Sequence, residues 1–168
     1  MSKSLVQEQF GANAANYVTS GVHAKGKSLQ RLVDLVQPKL DWQALDIATG
    51  GGHTAFAFAP HVARVIASDI TKEMLDQVEG QVGERGLANV STKIADAEDL
   101  PFEDGAFDLV TSRIAPHHFP DIPRFVAEVA RVLKRGGTFA LVDNAAPDEM
   151  TNPGLNAGDL ARAAETYN

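Results

Sequence analysis

The stretch Leu45–Asp69, LDIATGGGHTAFAFAPHVARVIASD, decides how the rest of the chain is read. Ala44, Leu45 and Ile47 make a short apolar strand. Gly50-Gly51-Gly52 allow a tight turn with close backbone approach, and Thr54–Ala59 start a helix whose free N–H groups face that turn. Val65-Ile66-Ala67 form a second strand that closes on Asp69, about twenty positions beyond Gly50. An acid there can accept hydrogen bonds from both ribose hydroxyls of a nucleotide. The stretch therefore predicts a nucleoside pocket at the carboxyl ends of parallel strands.

Two cofactors fit that outline. Gly50, Gly52 and Ala55 satisfy the G-x-G-x-x-G/A spacing of nicotinamide dinucleotide sites. Asp46, in the strand just ahead of the glycines, is poorly placed beside a pyrophosphate and well placed beside a cation, and S-adenosylmethionine carries an amino group and a sulfonium at that end. Asp46-Ile47-Ala48-Thr49-Gly50-Gly51-Gly52 resembles the glycine motif of the class I S-adenosylmethionine-dependent methyltransferases, which runs acid, apolar residue, G-x-G-x-G; Ala48 stands where the family has its first glycine. The resemblance implies that Asp46 serves the methionine end and Asp69 the ribose. It also implies that Ala48, Gly50, Gly52 and Ile70 surround the cofactor, with S-adenosylhomocysteine as product. A nicotinamide oxidoreductase is the rival, but a Tyr-x-x-x-Lys pair does not support it: Tyr17 is followed at that spacing by Gly21, and Tyr167 lies near the end.

The chain has 168 residues, 44% of them hydrophobic, which suits one domain with a sizeable core. It contains no cysteine, so disulfides, thiol nucleophiles and cysteine-ligated zinc are excluded. No apolar run reaches about 18 residues, and MSKSLVQEQF lacks the apolar centre of a signal peptide. A soluble, cytoplasmic protein with no membrane insertion is expected. A net charge of −7, with no basic cluster larger than Lys134-Arg135, argues against nucleic acid and for a small-molecule substrate.

The remaining elements follow in order. Residues 1–24 read as a loosely helical arm; by the family resemblance it folds over the cofactor with Tyr17 and Ser20 as lid residues. Leu29, Leu32, Val33 and Val36 predict a helix that stops before Pro38. Thr71 reads as the N-cap of a helix with Met74, Leu75, Val78 and Val82 on its buried face and Gly86 past its end. A third strand, Val90–Ala95, runs into DAEDLPF, similar to the family's third motif. That likeness gives Asp96 the adenine amino group and lays Ala97 against the ring, while Glu98, Asp99, Glu103 and Asp104 read as solvated.

A fourth strand, Phe107–Val110, leads into Ser112, Arg113 and the pair His117-His118; FDLVTSR with HHF resembles the quinone-type C-methyltransferase branch, and Arg113 counts among the cofactor-binding residues. Adjacent histidines point apart and no third ligand is placed by spacing, so no metal site is predicted. Either histidine is a candidate base, since an imidazole titrates near neutrality. Asp121 caps the next helix, with Pro123 in its first turn, Phe125, Val126, Val129, Val132 and Leu133 on its buried side, and Gly136-Gly137 ending it. Thr138–Asp143 is the fifth strand.

The expected fold is an α/β, doubly wound, Rossmann-like, mostly parallel sheet of order 3-2-1-4-5 spanning residues 1–144. Residues 145–168 read as a polar tail with a short helix, without the antiparallel hairpin the family places beside the fifth strand. An open edge on the fifth strand would invite a homodimer. A cofactor-binding but inactive module is a further alternative.

Overall fold

The structure, a computed structural model, describes residues 27–143. Helix α1 spans Lys27–Val36, and β1 is Gln43–Ile47. The rest follow as α2 (His53–Phe58), β2 (Arg64–Asp69), α3 (Lys72–Arg85), β3 (Val90–Ile94), β4 (Phe107–Arg113), α4 (Ile122–Val132) and β5 (Leu133–Val142). The sheet order is β3-β2-β1-β4-β5, and all four pairings are parallel, as the sequence predicts. The chain winds from β1 outward to β3, then returns to the other side of β1 for β4 and β5. The carboxyl ends of β1 and β4 therefore flank the point where the winding reverses, where such sheets open a crevice. The lid arm with Tyr17 and Ser20, together with Asn144 and the tail, lies outside the described residues.

Alternation along the buried strands sends side chains to two layers. Ala44, Val65 and Leu109 join Leu32, Phe56, Phe58 and Val78 on the side of α1, α2 and α3. Leu45, Ile47 and Val110 join Phe107, Phe125, Val129 and Val132 on the side of α4. Helix α3 ends as its sequence demands, on Gly86 at φ 64, a left-handed C-cap that costs glycine little.

Helix α4 departs from the expectation in two ways. Asp121 does cap it, accepting from the Arg124 N–H at 3.0 Å. Val126, however, is 45% exposed, because the buried stripe is narrower than its apolar residues suggest. The helix also ends at Val132 rather than at the glycines, and Leu133 opens β5. Gly136-Gly137 lie inside β5, where the register against β4 jumps: Phe107 pairs with Leu133 but Leu109 pairs with Thr138. Gly136 takes φ 77, and a Cβ on Gly137 would stand 2.9 Å from the Lys134 carbonyl, so the pair makes a bulge that no larger residues fit. β4 is longer than expected and carries Ser112 and Arg113 within the strand, while Ala95 falls just beyond β3.

The aromatic packing on α4 sets a stability contrast. Phe125 is 1% exposed and meets the rings of Phe119 and Phe139 at centroid distances of 4.8 and 6.0 Å. Phe125→Ala is expected to cost about 3–5 kcal/mol, against less than about 0.5 kcal/mol for the neighbouring Val126→Ala. Urea unfolding of the two variants checks this; equal losses would mean that α4 is rotated from the face described.

Candidate functional site

A cavity opens where the strand order predicts it, with about 1030 Å³ of space including its mouth. The loop after β1 contributes Ala48, Thr49, Gly50 and Gly51, and the end of β2 contributes Asp69 and Ile70. Asp96, Ala97 and Glu98 come from the loop after β3, and Arg113 and His118 from β4 and the turn beyond it. Of the sequence-predicted residues, Ala48, Gly50, Asp69, Ile70, Asp96, Ala97, Arg113 and His118 thus share one wall. Asp46, Gly52 and His117 are not on it.

The glycine turn is locked by its neighbours. The Gly50 N–H donates to Asp69 Oδ2 at 3.0 Å and the Thr71 N–H to Oδ1 at 2.9 Å, so one carboxylate joins the turn, the end of β2 and the start of α3. Thr71 occupies the N-cap position, but its hydroxyl makes no cap bond; Asp69 is the residue that orders this corner. On the other side, Gln81 of α3 donates to the Gly51 carbonyl at 3.2 Å and is itself held by Arg85 at 2.8 Å. Burial pushes the Asp69 carboxyl above its ordinary value, and its backbone hydrogen bonds oppose the shift.

Each glycine has its own reason. Gly50 takes φ 53, and a Cβ added there would meet nothing within 4 Å, which leaves bare backbone toward the cavity. Gly52 takes φ 80, and a Cβ would stand 2.8 Å from the Phe56 ring; it faces the core and not the cavity. Ala48 adopts φ 54, a conformation that favours glycine, at the position where the resembled motif has one. Ile114, beyond β4, takes φ 55, rarer still for a β-branched residue, and it turns the chain toward the histidines.

Asp46 sits beneath the wall, 2% exposed. In-register pairing sets Thr111 beside it on β4, whose hydroxyl donates to Oδ1 at 2.7 Å, while the Thr49 hydroxyl donates to Oδ2 at 2.6 Å. Burial outweighs these bonds and lifts its pKa from 3.8 to about 6. The Asp46 charge in turn favours the Arg113 guanidinium, whose pKa burial lowers; Arg113 Nη2 also donates to Ser28 on α1 at 3.2 Å.

Pro116–His118 form a 3-10 turn in which, against the expectation that adjacent histidines point apart, the two rings pack on each other; His118 joins the wall, and His117 is held by Asp143. Glu98, read from sequence as solvated, is 6% exposed, lines the cavity and accepts the Asp121 N–H at 2.8 Å. Asp104 is exposed, as read, and also pairs with Arg131 at 2.9 Å. Local sequence carries no sign of either bond, because the partners lie more than twenty residues away. Among the described residues no helix is long and apolar enough to cross a membrane, and no cluster of three or more His, Cys, Asp or Glu side chains could hold a metal.

Residues 45–141 match the family described as a methyltransferase domain. This chain belongs to that family. The methyltransferase YcgJ of Bacillus subtilis is 43% identical over 140 residues, covering 83% of this chain and 55% of its own length. Its crystal structure superposes with a TM-score of 0.70 at 44% identity, over 73% of this chain and 52% of the other. A nocamycin O-methyltransferase of Saccharothrix syringae is 33% identical over 144 residues, 84% of this chain and 51% of its own. An S-adenosylmethionine-dependent methyltransferase of Aquifex aeolicus shares the fold alone, with a TM-score of 0.75 at 20% identity over 93% of this chain and 86% of the other. The chain spans about half the length of the first two relatives.

The buried acids give this methyltransferase domain a testable pH signature. Asp46 binds its proton more tightly folded than unfolded, so its contribution is neutral below about pH 4 and increasingly unfavourable as pH rises through about 6. Asp69 acts in the same direction. Asp46→Asn keeps the shape, and the threonine hydroxyls can rotate to suit an amide. The variant is expected to lose less stability than the wild type between pH 4 and 7, a difference on the order of 2–3 kcal/mol. Urea midpoints across that range measure it; parallel curves would show that Asp46 is charged at no energetic cost.

Proposed function

We propose that this domain binds S-adenosylmethionine across the carboxyl ends of β1, β2 and β3 and presents its methyl group to a small-molecule acceptor on the β4 side. The observation that carries the reading is the charge of the cavity wall, where the three carboxylates Asp69, Asp96 and Glu98 stand with Arg113. Such a wall suits a ligand bearing an ammonium and a sulfonium better than the diphosphate of a nicotinamide cofactor.

The residues fit the group. Asp69 stands on the cavity wall with its carboxylate oriented by the Gly50 and Thr71 N–H groups, and a carboxylate so held can accept a ribose hydroxyl. Asp96, oriented by the Glu98 N–H at 3.0 Å, has Ala97 beside it for an adenine edge and face. Ala48 and Gly50 offer close backbone, Ile70 an apolar side, and Arg113 a cation for the methionine carboxylate. Asp46, one layer below, would act through its charge. A lid by the arm that carries Tyr17 belongs to the same proposal.

When bound, S-adenosylmethionine supplies a methyl carbon on a sulfonium, whose sulfur keeps the bonding electrons as the methyl leaves. The chain contributes positioning and a drier environment through Met74, Ile114, Ala115, Phe119 and Pro120 on the wall. His118 is the group placed to take a proton from the acceptor and pass it to solvent. Burial and the neighbouring His117 hold its pKa below that of an ordinary imidazole, which favours the neutral, proton-accepting form. A small acceptor is in keeping with the nocamycin relative's name. Pairing of two copies along β5, an edge among the described residues, is also proposed; light scattering that stays monomeric at high concentration rules it out.

Calorimetry with S-adenosylhomocysteine and with NADH separates the two cofactors, and only the first is expected to bind. Asp69→Ala should weaken it by about 1.5–3 kcal/mol, roughly 10- to 150-fold. Equal affinity for variant and wild type would remove the ribose assignment. Transfer of a labelled methyl group across a panel of small acceptors then distinguishes an enzyme from an inactive cofactor-binding module.

A further inference from the structure

The two histidines of the Pro116–His118 turn have different jobs, and Asp143 is what separates them. Asp143 directly follows β5, and its carboxylate meets one residue twice: Oδ2 accepts the His117 backbone N–H at 2.9 Å, and Oδ1 lies 2.6 Å from His117 Nδ1. A carboxylate can only accept, so Nδ1 carries the proton and the imidazole ring is fixed in one orientation. That ring lies against His118, with centroids 3.9 Å apart and planes at 48°. The turn is closed by the His118 N–H on the Ala115 carbonyl and tied to β5 by the Ile114 N–H on the Val142 carbonyl at 2.7 Å. His118 then reaches the cavity wall while His117 does not.

We propose that Asp143 and His117 form a positioning pair that holds the His118 ring on the cavity wall and sets which protonation form it presents there. The inference deepens the reading of His118 as the proton acceptor and rests on it for its use in methyl transfer. The pair acts by two routes. Mechanically, a bidentate carboxylate and a ring contact leave the His118 side chain fewer orientations, so less freedom is lost when an acceptor arrives. Electrostatically, burial lowers the His118 pKa, a protonated His117 lowers it further and Asp143 raises it, so the pair exerts opposing influences on it. Among the described residues the other charged or titratable groups that share its cavity are Arg113 at the end of β4, Glu98 and Asp96 after β3, Asp69 at the end of β2 and His53 at the start of α2.

The opposition supplies the test. Ring nitrogens of ¹⁵N-histidine-labelled protein are followed by NMR through a pH titration, in wild type, Asp143→Asn and His117→Gln. The wild type should show His117 as the Nδ1–H tautomer. Asp143→Asn should shift His117 toward the Nε2–H tautomer and move the His118 midpoint to lower pH, whereas His117→Gln should move it to higher pH. A packing role without electrostatic coupling moves neither midpoint, and both variants shifting His118 the same way would equally overturn the proposal. Affinity for S-adenosylhomocysteine, measured in parallel, should stay within about twofold of wild type in both variants. Loss of that affinity in step with the midpoint shift would mean that the turn had collapsed and would refute a role confined to His118. If the wild type fails to bind S-adenosylhomocysteine while the opposite shifts appear, the pair stands and the methyl-transfer reading falls.

Discussion

The carboxylate of Asp69 is the constraint on which the site depends. Its two oxygens take peptide N–H groups from the glycine turn after β1 and from the first residue beyond Ile70, so the loops that leave two neighbouring strands are fixed to one another by a single side chain. Parallel strands cannot share a tight hairpin, so the loops leaving β1 and β2 are separate segments, and here this carboxylate ties them together. Burying the acid raises its pKa, a cost offset by the charge-assisted bonds it accepts. The same carboxylate lines the cavity, so the junction between the two loops is also part of its wall.

What the sequence made legible follows from where each signal is stored. The strands, the glycine turn, Asp69 and Asp96 are written locally, as apolar runs that end on acids. The doubly wound sheet and its order are what the family resemblance implies. Other features depend on partners far along the chain and could not be read. Thr111 reaches Asp46 only because β4 returns beside β1, and Gln81 reaches Gly51 only because α3 folds back under the turn. Glu98 looked like one of four solvated acids until α4 brought the Asp121 N–H to it. Gly136-Gly137 read as a helix stop because two glycines after an apolar helix usually are one; the bulge they form is set by β4, which the local pattern does not contain. His117 and His118 were indistinguishable as neighbours, and Asp143 is what tells them apart.

The loop after β3 shows how much of the fold serves to place two residues. Glu128 of α4 accepts the Leu100 N–H at 2.7 Å, while Arg131 donates to the carbonyls of Leu100 and Phe102 at 2.9 and 2.7 Å. Arg124 donates to the Glu98 carbonyl at 2.6 Å. Three side chains of one helix thus satisfy backbone groups of a loop whose own pairing is a single Asp96–Asp99 bridge, and Asp96 and Ala97 are carried at its base. A loop without such partners would leave its polar groups unpaired at a partly buried position, at about 1–3 kcal/mol each.

Strain is concentrated where the site needs it. Of the non-glycine residues at positive φ among those described, Ala48 and Ile114 stand on the cavity wall, at the exits of β1 and β4. Those are the adjacent strands between which the winding reverses, so their loops must part in opposite directions within one strand spacing of about 4.8 Å. A left-handed residue at each exit turns the chain aside at a cost on the order of 1–2 kcal/mol apiece, which the packed layers below can bear. At Ala48 the chain keeps a methyl where the resembled motif has none, and at Ile114 it keeps a branched side chain on the wall. Both choices trade local stability for apolar surface in the part of the cavity between the acids of β2 and β3 and the histidine of the β4 turn.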